Sequence, residues 1–411
     1  MLSAVPKIVL EGVRKLFGPD QDKARQMIEA GASKDAILEQ TGCTVAVNNT
    51  DLAIKAGEIF VVMGLSGSGK STLVRMINGL IKPSSGKVLV EGRDVADANK
   101  TELRQIRREV VSMVFQHFAL FPHKTIAENA AFGLRVRGVN AADRRKRALD
   151  ALDQVGLVAY ADAKPSELSG GMQQRVGLAR CLASDPDILL MDEPFSALDP
   201  LIRRDMQNDL LELQRRLKKT IVFITHDLNE ALSLGDRIAI MKDGAIMQIG
   251  TGAEIVENPA NEYVATFTQD VDRSRVFFAA SVRSDPESVE LRKDSVETAL
   301  ARMEKLDRNA LYVMDGRSVA GVVTFRDLSC QDRKDDGLES SLIADYPSAN
   351  PHTLINDLYP LAREGLPIAL IDHREHLVGV VEPEDVFARL ATTGVDGNAA
   401  KTEISGRESA E

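Results

Sequence analysis

The chain has 411 residues, about two to three times the usual length of one domain, so two or more domains are expected. Hydrophobic residues make up 44% and charged residues 27%, which excludes collagen-like, mucin-like and wholly disordered architectures. With 51 basic and 61 acidic residues the net charge is -10, which argues against a nucleic-acid binder that relies on a basic face. No apolar run approaches the roughly 20 residues that span a bilayer, and no secretory signal opens the chain, so we expect a cytoplasmic protein.

The first part of the chain contains two strand-like segments around a helical insertion. Val9–Phe17 and Thr44–Ile54 have strand-like patterns, and residues 19–43 between them predict two short helices broken at Gly31, the second capped by Ser33. Such a pair would suit either a helix-turn-helix DNA reader or two surface helices. The segment has no basic recognition helix, which favours surface helices.

From Ile59 onward, short β-branched runs alternate with amphipathic stretches such as Ala141–Gln154 and Ile202–Leu217. This alternation is typical of a mostly parallel sheet covered by helices. The sequence therefore predicts an α/β nucleotide-binding architecture. The predicted strands of this sheet are Ile59–Met63, Val110–Phe115, Ile188–Asp192, Ile221–Thr225 and Arg237–Met241.

After Asn258-Pro259-Ala260 the pattern changes to an internal repeat of helix, strand, strand and helix. We predict three regions: a nucleotide-binding domain at 1–270, an α+β module at 276–395 and a small, polar, disordered tail at 396–411. The first repeat comprises Val296–Leu306, Ala310–Asp315 and Gly321–Asp327, and the second comprises Leu354–Arg363, Pro367–Asp372 and Gly379–Asp385.

A glycine-rich segment, Gly64-Leu-Ser-Gly-Ser-Gly-Lys-Ser71, follows a predicted strand and precedes a helical pattern, which is the context of a P-loop. Its glycines let backbone N–H groups surround phosphate oxygens at a helix N-terminus, while Lys70 reaches the β- and γ-phosphates and Ser71 ligates Mg²⁺. A coincidental Gly/Ser loop would lack this combination. The predicted phosphate-binding residues are Gly64, Ser66, Gly67, Ser68, Gly69, Lys70, Ser71 and Thr72.

The apolar strand Ile188–Asp192 places two carboxylates at its C-terminal end. We expect Asp192 to hold Mg²⁺ through water and Glu193 to accept a proton from the attacking water as a general base. A pair of acidic residues after a strand is usually a solvated strand end, but the P-loop upstream favours a catalytic role.

The segment Leu168-Ser-Gly-Gly-Met-Gln-Gln-Arg175 would, by itself, indicate only a helix start capped by Ser169. Between a P-loop and an Asp-Glu strand it resembles the signature motif of the ATP-binding cassette (ABC) family, which P-loop kinases and GTPases lack. Gln116, the segment Ser196-Ala-Leu-Asp199 and His226 match further positions of the family pattern. The resemblance covers about Val9 to Thr268 and implies a P-loop NTPase cassette with a helical subdomain.

The resemblance also implies roles for these residues. Ser169, Gly170 and Gly171 would contact the γ-phosphate of an ATP held by the P-loop of a second, identical subunit. Gln116 would sense the metal and the attacking water while its loop touches a membrane partner. His226 would bind the γ-phosphate and orient Glu193, with a plain buried histidine as the alternative. Asp199 belongs to the same nucleotide site. Phe17 would stack on adenine, although a core or surface phenylalanine is a serious alternative.

The C-terminal repeat resembles paired CBS domains. An insertion at this place together with such a repeat is similar to the layout of the ATPase subunit of osmoprotectant importers of the glycine betaine/proline type. This implies ATP and Mg²⁺ as cofactors, integral membrane permease subunits, an indirect link to a substrate-binding protein, no nucleic acid, and a peripheral location on the cytoplasmic face of the inner membrane. Importers of histidine, carnitine or choline remain alternatives. So do a soluble ABC ATPase acting in DNA repair or translation and a signalling protein that uses the cassette as a switch.

The CBS-like repeats differ at one position. Thr324 and Asp327 match the residues that bind ribose and phosphate in the CBS pattern, whereas the second repeat has Glu382 in the threonine position, and a carboxylate would repel phosphate. A nucleotide is therefore expected at one half only, and purely structural dimerisation is the alternative. From Val276 onward we count 15 basic and 25 acidic residues, which weakens the expectation of a cationic, membrane-binding module.

Overall fold

The computed structural model describes residues 6–116, 119–269, 271, 276–316, 318–330, 337–363, 365–372 and 375–391. The predicted tail at 396–411 lies outside these residues, as do His117 and Phe118, which follow Gln116 in the sequence. The chain divides into two compact units, and the division falls after Gln269. Within the described ranges, no helix combines the length and the apolar character that a membrane span requires.

The first unit contains ten strands and twelve α-helices among its described residues. In chain order they are β1 (Pro6–Phe17), α1 (Gln21–Glu29), α2 (Lys34–Thr41), β2 (Thr44–Lys55), β3 (Ile59–Met63), α3 (Lys70–Ile77), β4 (Ser85–Val90), β5 (Arg93–Asp94), α4 (Lys100–Glu109), β6 (Val111–Val114), α5 (Ile126–Ala130), α6 (Phe132–Val136), α7 (Ala141–Gln154), α8 (Gly170–Leu182), β7 (Ile188–Asp192), α9 (Pro200–Leu217), β8 (Thr220–Thr225), α10 (Leu228–Leu234), β9 (Arg237–Lys242), β10 (Ala245–Gly250), α11 (Gly252–Glu257) and α12 (Glu262–Thr268).

Six of these strands form the central sheet, in the order β10-β9-β3-β8-β7-β6. The five strands from β9 to β6 are parallel, and β10 pairs antiparallel with β9. Every residue of β3, β7 and β8 is buried, as expected for strands covered on both faces. The five predicted strands are confirmed, with ends that differ by one residue at most.

A second sheet is antiparallel, with the order β2-β1-β4-β5. The sequence predicted β1 and β2, but it did not predict β4 and β5. One hydrophobic core joins this sheet to the central sheet, because Leu10 and Val88 share a cluster with Phe60 and with Leu73 of α3. The helix that follows the P-loop is thus held on both sides by packed strands.

The predicted insertion forms α1 and α2, as expected. Ser33 caps α2 by accepting a hydrogen bond from Ala36 N at 3.3 Å, and Gly31 lies between the helices at φ 78°. The insertion has a small core of its own, in which Ile37 packs with Leu16 of β1. The two helices therefore extend the open end of the β1–β2 pair.

The second unit repeats a three-stranded sheet. Its elements are β11 (Ser288–Glu290), α13 (Val296–Leu306), β12 (Ala310–Asp315), β13 (Ser318–Thr324), α14 (Phe325–Ser329), β14 (Ser348–Ala349), α15 (Ile355–Ala362), β15 (Ile368–Ile371), β16 (Leu377–Val381) and α16 (Pro383–Ala391). In each sheet a short strand pairs parallel with the middle strand, which pairs antiparallel with the third. The predicted repeat is confirmed, and the short strands β11 and β14 are additions.

Tyr312 joins the two repeats of this unit. Its side chain is buried, and its hydroxyl donates a hydrogen bond to Pro367 O at 2.5 Å and lies 3.3 Å from Pro347 O. Its ring makes an edge contact with Tyr346. Burial raises the pKa of Tyr312 well above its ordinary value, so the hydroxyl stays a neutral donor.

We expect Tyr312→Phe to lower the free energy of unfolding of the second unit by about 1–2 kcal/mol, because a buried carbonyl loses its donor. Calorimetry of the full chain would resolve this as a shift in one transition. Tyr359→Phe is the matched control, since Tyr359 is 44% exposed. Equal shifts for both variants would contradict the role assigned to the Tyr312 hydroxyl.

Candidate functional site

The P-loop connects β3 to α3, and two of its glycines are required by close backbone approach. Gly64 (φ 152°) and Gly69 (φ 102°) both have left-handed backbones. A Cβ atom at Gly64 would overlap the carbonyl oxygen of Met241, and one at Gly69 would overlap that of Ala46. The loop is therefore pressed against β2 on one side and the end of β9 on the other.

Two polar side chains of this loop, Ser68 and Lys70, are buried. Lys70 is buried, and its ammonium donates to the carbonyls of Gly64 at 2.7 Å and Leu65 at 3.0 Å. Burial lowers the pKa of Lys70, while the carboxylates of Glu193 and Asp192 act in the opposite direction. Among the described residues, the buried Ser68 hydroxyl finds no hydrogen-bond partner. An ammonium with a donor to spare and an unpartnered hydroxyl fit a bound phosphate chain.

Asp192, at the end of β7, faces the start of α3. Its side chain accepts a hydrogen bond from the Ser71 hydroxyl at 2.8 Å and lies 3.4 Å from the Arg75 guanidinium. No group of three or more His, Cys, Asp or Glu side chains suited to a metal occurs in the described ranges. One hydroxyl and one carboxylate nevertheless fit Mg²⁺, because this ion keeps several waters and binds substrate phosphates. Arg75, one helical turn after Ser71, was not predicted.

Glu193 and His226 form a second polar pair beside Asp192. The Nδ1 atom of His226 lies 3.2 Å from Glu193 Oε2. Glu193 has a positive φ of 46°, and its backbone N–H donates to Ile224 O at 3.2 Å, so the chain turns sharply out of the sheet. The His226 side chain is 58% exposed, which excludes the alternative of a plain buried histidine.

Gln116 is connected to Glu193 through a residue that was not predicted. The Gln116 side-chain amide donates to the Ser196 hydroxyl at 3.5 Å, and that hydroxyl donates to the Glu193 carbonyl at 3.0 Å. Ser196 stood in a matching family segment but carried no assigned role. The side chain of Ser196 folds back onto the turn at Glu193, three residues earlier. The sequence spacing alone did not reveal this contact.

The His226 loop is held by buried polar groups that sequence analysis also missed. Asp227 caps α10 by accepting hydrogen bonds from Asn229 N at 2.9 Å and Glu230 N at 3.3 Å. Glu230 is buried and accepts a hydrogen bond from the Gln207 side chain at 2.9 Å. Burial raises the pKa of the Glu230 carboxyl. These bonds fix the backbone on one side of His226.

Phe17 ends β1 and is 42% exposed, so the alternative of a core phenylalanine is wrong. Its ring lies beneath the ammonium of Lys15, 4.8 Å from the ring centroid. Next to it, a Cβ atom at Gly18 would meet Gly42 O at 2.6 Å. The base of the insertion thus sits directly beside the exposed ring.

The signature segment occupies a different part of the unit. Ser169 caps α8 by accepting a hydrogen bond from Met172 N at 3.4 Å, and Ser169 and Gly170 are exposed. Gly171 is buried, and a Cβ atom there would lie 2.6 Å from the Ile202 side chain of α9. Asp199 is exposed at the N-terminus of α9. Among described residues, no hydrogen bond links the Ser169 segment to the P-loop.

Comparison with known proteins agrees with this geometry. The "ABC transporter" family model matches residues 47–196, and the "CBS domain" family model matches residues 282–329. Among solved structures, the chain is similar to the dimeric post-hydrolysis state of the ATP-binding cassette MJ0796 bound to ADP and Pi. The TM-score is 0.51 with 35% identity, covering 60% of this chain and 98% of that one. The predicted cassette fold followed by a CBS domain is confirmed.

Curated relatives match along nearly the whole chain. The glycine betaine/carnitine transport ATP-binding protein GbuA of Listeria monocytogenes serotype 1/2a (strain 10403S) is 46% identical over 396 residues, 96% of this chain and 100% of that protein. The glycine betaine/proline betaine transport system ATP-binding protein ProV of Escherichia coli (strain K12) is 46% identical over 395 residues, with coverage of 95% and 99%. The trimethylamine N-oxide transport system ATP-binding protein TmoW of Pelagibacter ubique (strain HTCC1062) is 46% identical over 325 residues, covering 77% and 95%.

We expect Glu193→Gln to bind ATP but to lose at least about 100-fold in turnover, because the amide keeps the shape of the side chain and cannot accept a proton. Equilibrium ATP binding and phosphate release would be measured on the same preparation. The control is Glu257→Gln, at the end of α11. Turnover by Glu193→Gln near that of the unmodified chain would rule out this residue as the base.

Proposed function

The chain belongs to the family of ABC transporter ATP-binding proteins, and we propose that it hydrolyses ATP to drive import of a quaternary ammonium solute through separate permease subunits. One observation supports the catalytic part of this proposal. Glu193 lies 3.2 Å from His226 and directly follows Asp192, which bonds to Ser71 of the P-loop. A base, a metal-binding carboxylate and a phosphate-binding loop thus meet at one edge of the sheet.

In the proposed reaction, water attacks the γ-phosphorus of ATP and yields ADP and phosphate. Lys70 and the P-loop amides bind the β- and γ-phosphates and stabilise their charge. The Glu193 carboxylate accepts the proton of the attacking water, and His226 fixes the direction of that carboxylate. Gln116 positions the water, and Ser196 couples its position to the backbone of Glu193.

The residues Ser71, Asp192 and Gln116 would hold Mg²⁺ in this site. When bound, the ion would supply positive charge that stabilises the negative charge of the phosphates. Asp192 meets the Arg75 guanidinium and the Ser71 hydroxyl, so its carboxylate is oriented toward the start of α3. Oriented in this way, it can accept hydrogen bonds from metal-bound water.

We propose that the working unit contains two copies of the chain. Ser169 and Gly170 are exposed at the N-terminus of α8, where backbone N–H groups can bind an anion. Without a hydrogen bond to the P-loop of their own chain, they are available to the γ-phosphate held by a second copy. The dimeric state named for the similar cassette structure supports this arrangement.

The solute is inferred from relatives that match the full length of the chain. Their names specify glycine betaine, carnitine and proline betaine, and another relative is named for trimethylamine N-oxide. In all of these molecules the nitrogen is fully substituted and lacks an N–H group. A relative named for spermidine and putrescine import covers only 61% of the chain. Another amino acid or amine, such as histidine, is the second candidate. A peripheral position on the cytoplasmic face of the membrane belongs to the same proposal.

The transport assignment predicts that deleting the gene in its native host lowers high-salt uptake of labelled glycine betaine to the background level. The unmodified chain restores uptake, and Glu193→Gln does not, because transport requires hydrolysis. Labelled histidine serves as the control solute. Uptake of histidine lost together with that of glycine betaine, or uptake of neither changed, would contradict the proposed solute.

The dimer predicts that Ser169→Arg abolishes hydrolysis and leaves ATP binding to its own P-loop intact. The arginine obstructs the site of the partner copy, not the P-loop of the chain that carries it. Mixing Ser169→Arg with Lys70→Ala should restore about one active site per mixed dimer, measured as phosphate release against mixing ratio. A mixture with no more activity than either variant would exclude a site shared between copies.

A further inference from the structure

Lys15 touches the proposed adenine-binding ring but has no role in the site so far. Residues i and i+2 of a strand share a face, which places Lys15 and Phe17 together at the end of β1. The ammonium lies over the ring, 4.8 Å from its centroid. Among the described residues Lys15 forms no ion pair, so no carboxylate there neutralises its charge against the ring.

The ammonium is held in place by the backbone. Lys15 Nζ donates to Lys82 O at 2.8 Å, in the loop between α3 and β4. Ser84 of the same loop also bonds to β1: Ser84 N donates to Arg14 O at 2.8 Å, and Leu16 N donates to Ser84 Oγ at 3.1 Å. The charge therefore has a fixed position relative to the strand end that carries Phe17.

The environment of Lys15 strengthens its interaction with the ring. Partial burial removes part of the hydration of the Lys15 ammonium, and this loss lowers the pKa of Lys15. A cation–π contact gains strength as water is removed from the cation. At 42% exposure, Phe17 keeps ring surface for a second partner.

We propose that Lys15 is a positioning residue for adenine, which holds the Phe17 ring and makes it a better stacking partner for an electron-rich base. The face of an aromatic ring is negative, so two stacked rings repel each other through their quadrupoles. A cation on one face draws electron density toward itself and reduces that repulsion on the other face. This inference rests on the proposed stacking of adenine on Phe17.

The test compares Lys15→Met, which keeps the aliphatic stem, with Lys15→Arg, which keeps the charge. We expect Lys15→Met to raise the KM for ATP about threefold with kcat unchanged, in line with the strength of an exposed cation–π contact. Lys15→Arg should restore the original KM. Lys87→Met is the matched control, because Lys87 is an exposed cation on β4 of the same sheet and should leave both constants unchanged.

Two further measurements distinguish an effect of Lys15 on adenine binding from an effect on phosphate binding. The inhibition constant of inorganic tripolyphosphate should be the same for Lys15→Met and the unmodified chain, because this probe has no base to stack. In a Phe17→Ala background, Lys15→Met should cause no further rise in the KM for ATP. A loss of tripolyphosphate affinity would mean that Lys15 acts on the phosphates, and an equal threefold rise in that background would mean that Lys15 acts independently of Phe17. Either result would overturn the inference.

The failure of the proposed adenine site has a different outcome. If Phe17→Ala alone leaves the KM for ATP unchanged, then Phe17 does not stack on adenine, and the role of Lys15 falls with it. If Phe17→Ala raises the KM and Lys15→Met does not, only the role of Lys15 is wrong. Circular dichroism of each variant verifies that the chain remains folded in every arm.

Discussion

The nucleotide site depends on how closely three backbone segments approach one another. Gly64 and Gly69 leave no space for a Cβ atom next to Met241 and Ala46. Gly244, in the turn after β9, donates its N–H to Ser68 O at 3.0 Å and accepts a hydrogen bond from Asn48 N at 2.8 Å. The P-loop is thus shaped from outside by β2 and by the β9–β10 turn, and this turn lies far from it in sequence. Its amides are held in place before any phosphate binds.

The sequence predicted the local parts of this arrangement well. Strands that are buried on both faces are continuous apolar runs, and the glycine spacing identifies the P-loop without any knowledge of its surroundings. Contacts between residues that are distant in sequence could not be predicted from these local patterns. The strand β4 was missed because Ser85–Val90 contains only a short alternation and pairs with β1, about 75 residues earlier. Ser196 and Arg75 were missed for the same reason, since their roles depend on which elements meet.

The second unit shows how one substitution changes a repeated site. In the first repeat the Thr324 hydroxyl caps α14 and donates to Asp327 at 2.6 Å. In the second repeat Glu382 takes that position, and its carboxylate accepts a hydrogen bond from Arg308 of the first repeat at 2.7 Å. Burial raises the pKa of Glu382, while Arg308 acts in the opposite direction. The sequence revealed the carboxylate at the second position, but it did not reveal that Arg308 of the first repeat pairs with this carboxylate.

The segment between β7 and α9 explains why hydrolysis and subunit contact are coupled in the proposed dimer. Within seven residues it carries Glu193, Ser196 and Asp199, and α9 then packs through Ile202 on Gly171 of the signature helix. A phosphate of the partner copy that binds at Ser169 would therefore contact α8, which packs on α9. The first residues of α9 directly follow the turn that carries Glu193. Because Glu193 already has a left-handed backbone, small movements of this segment change the direction of its carboxylate. In the proposed dimer, a base positioned in this way would be fully effective only when both copies are in contact.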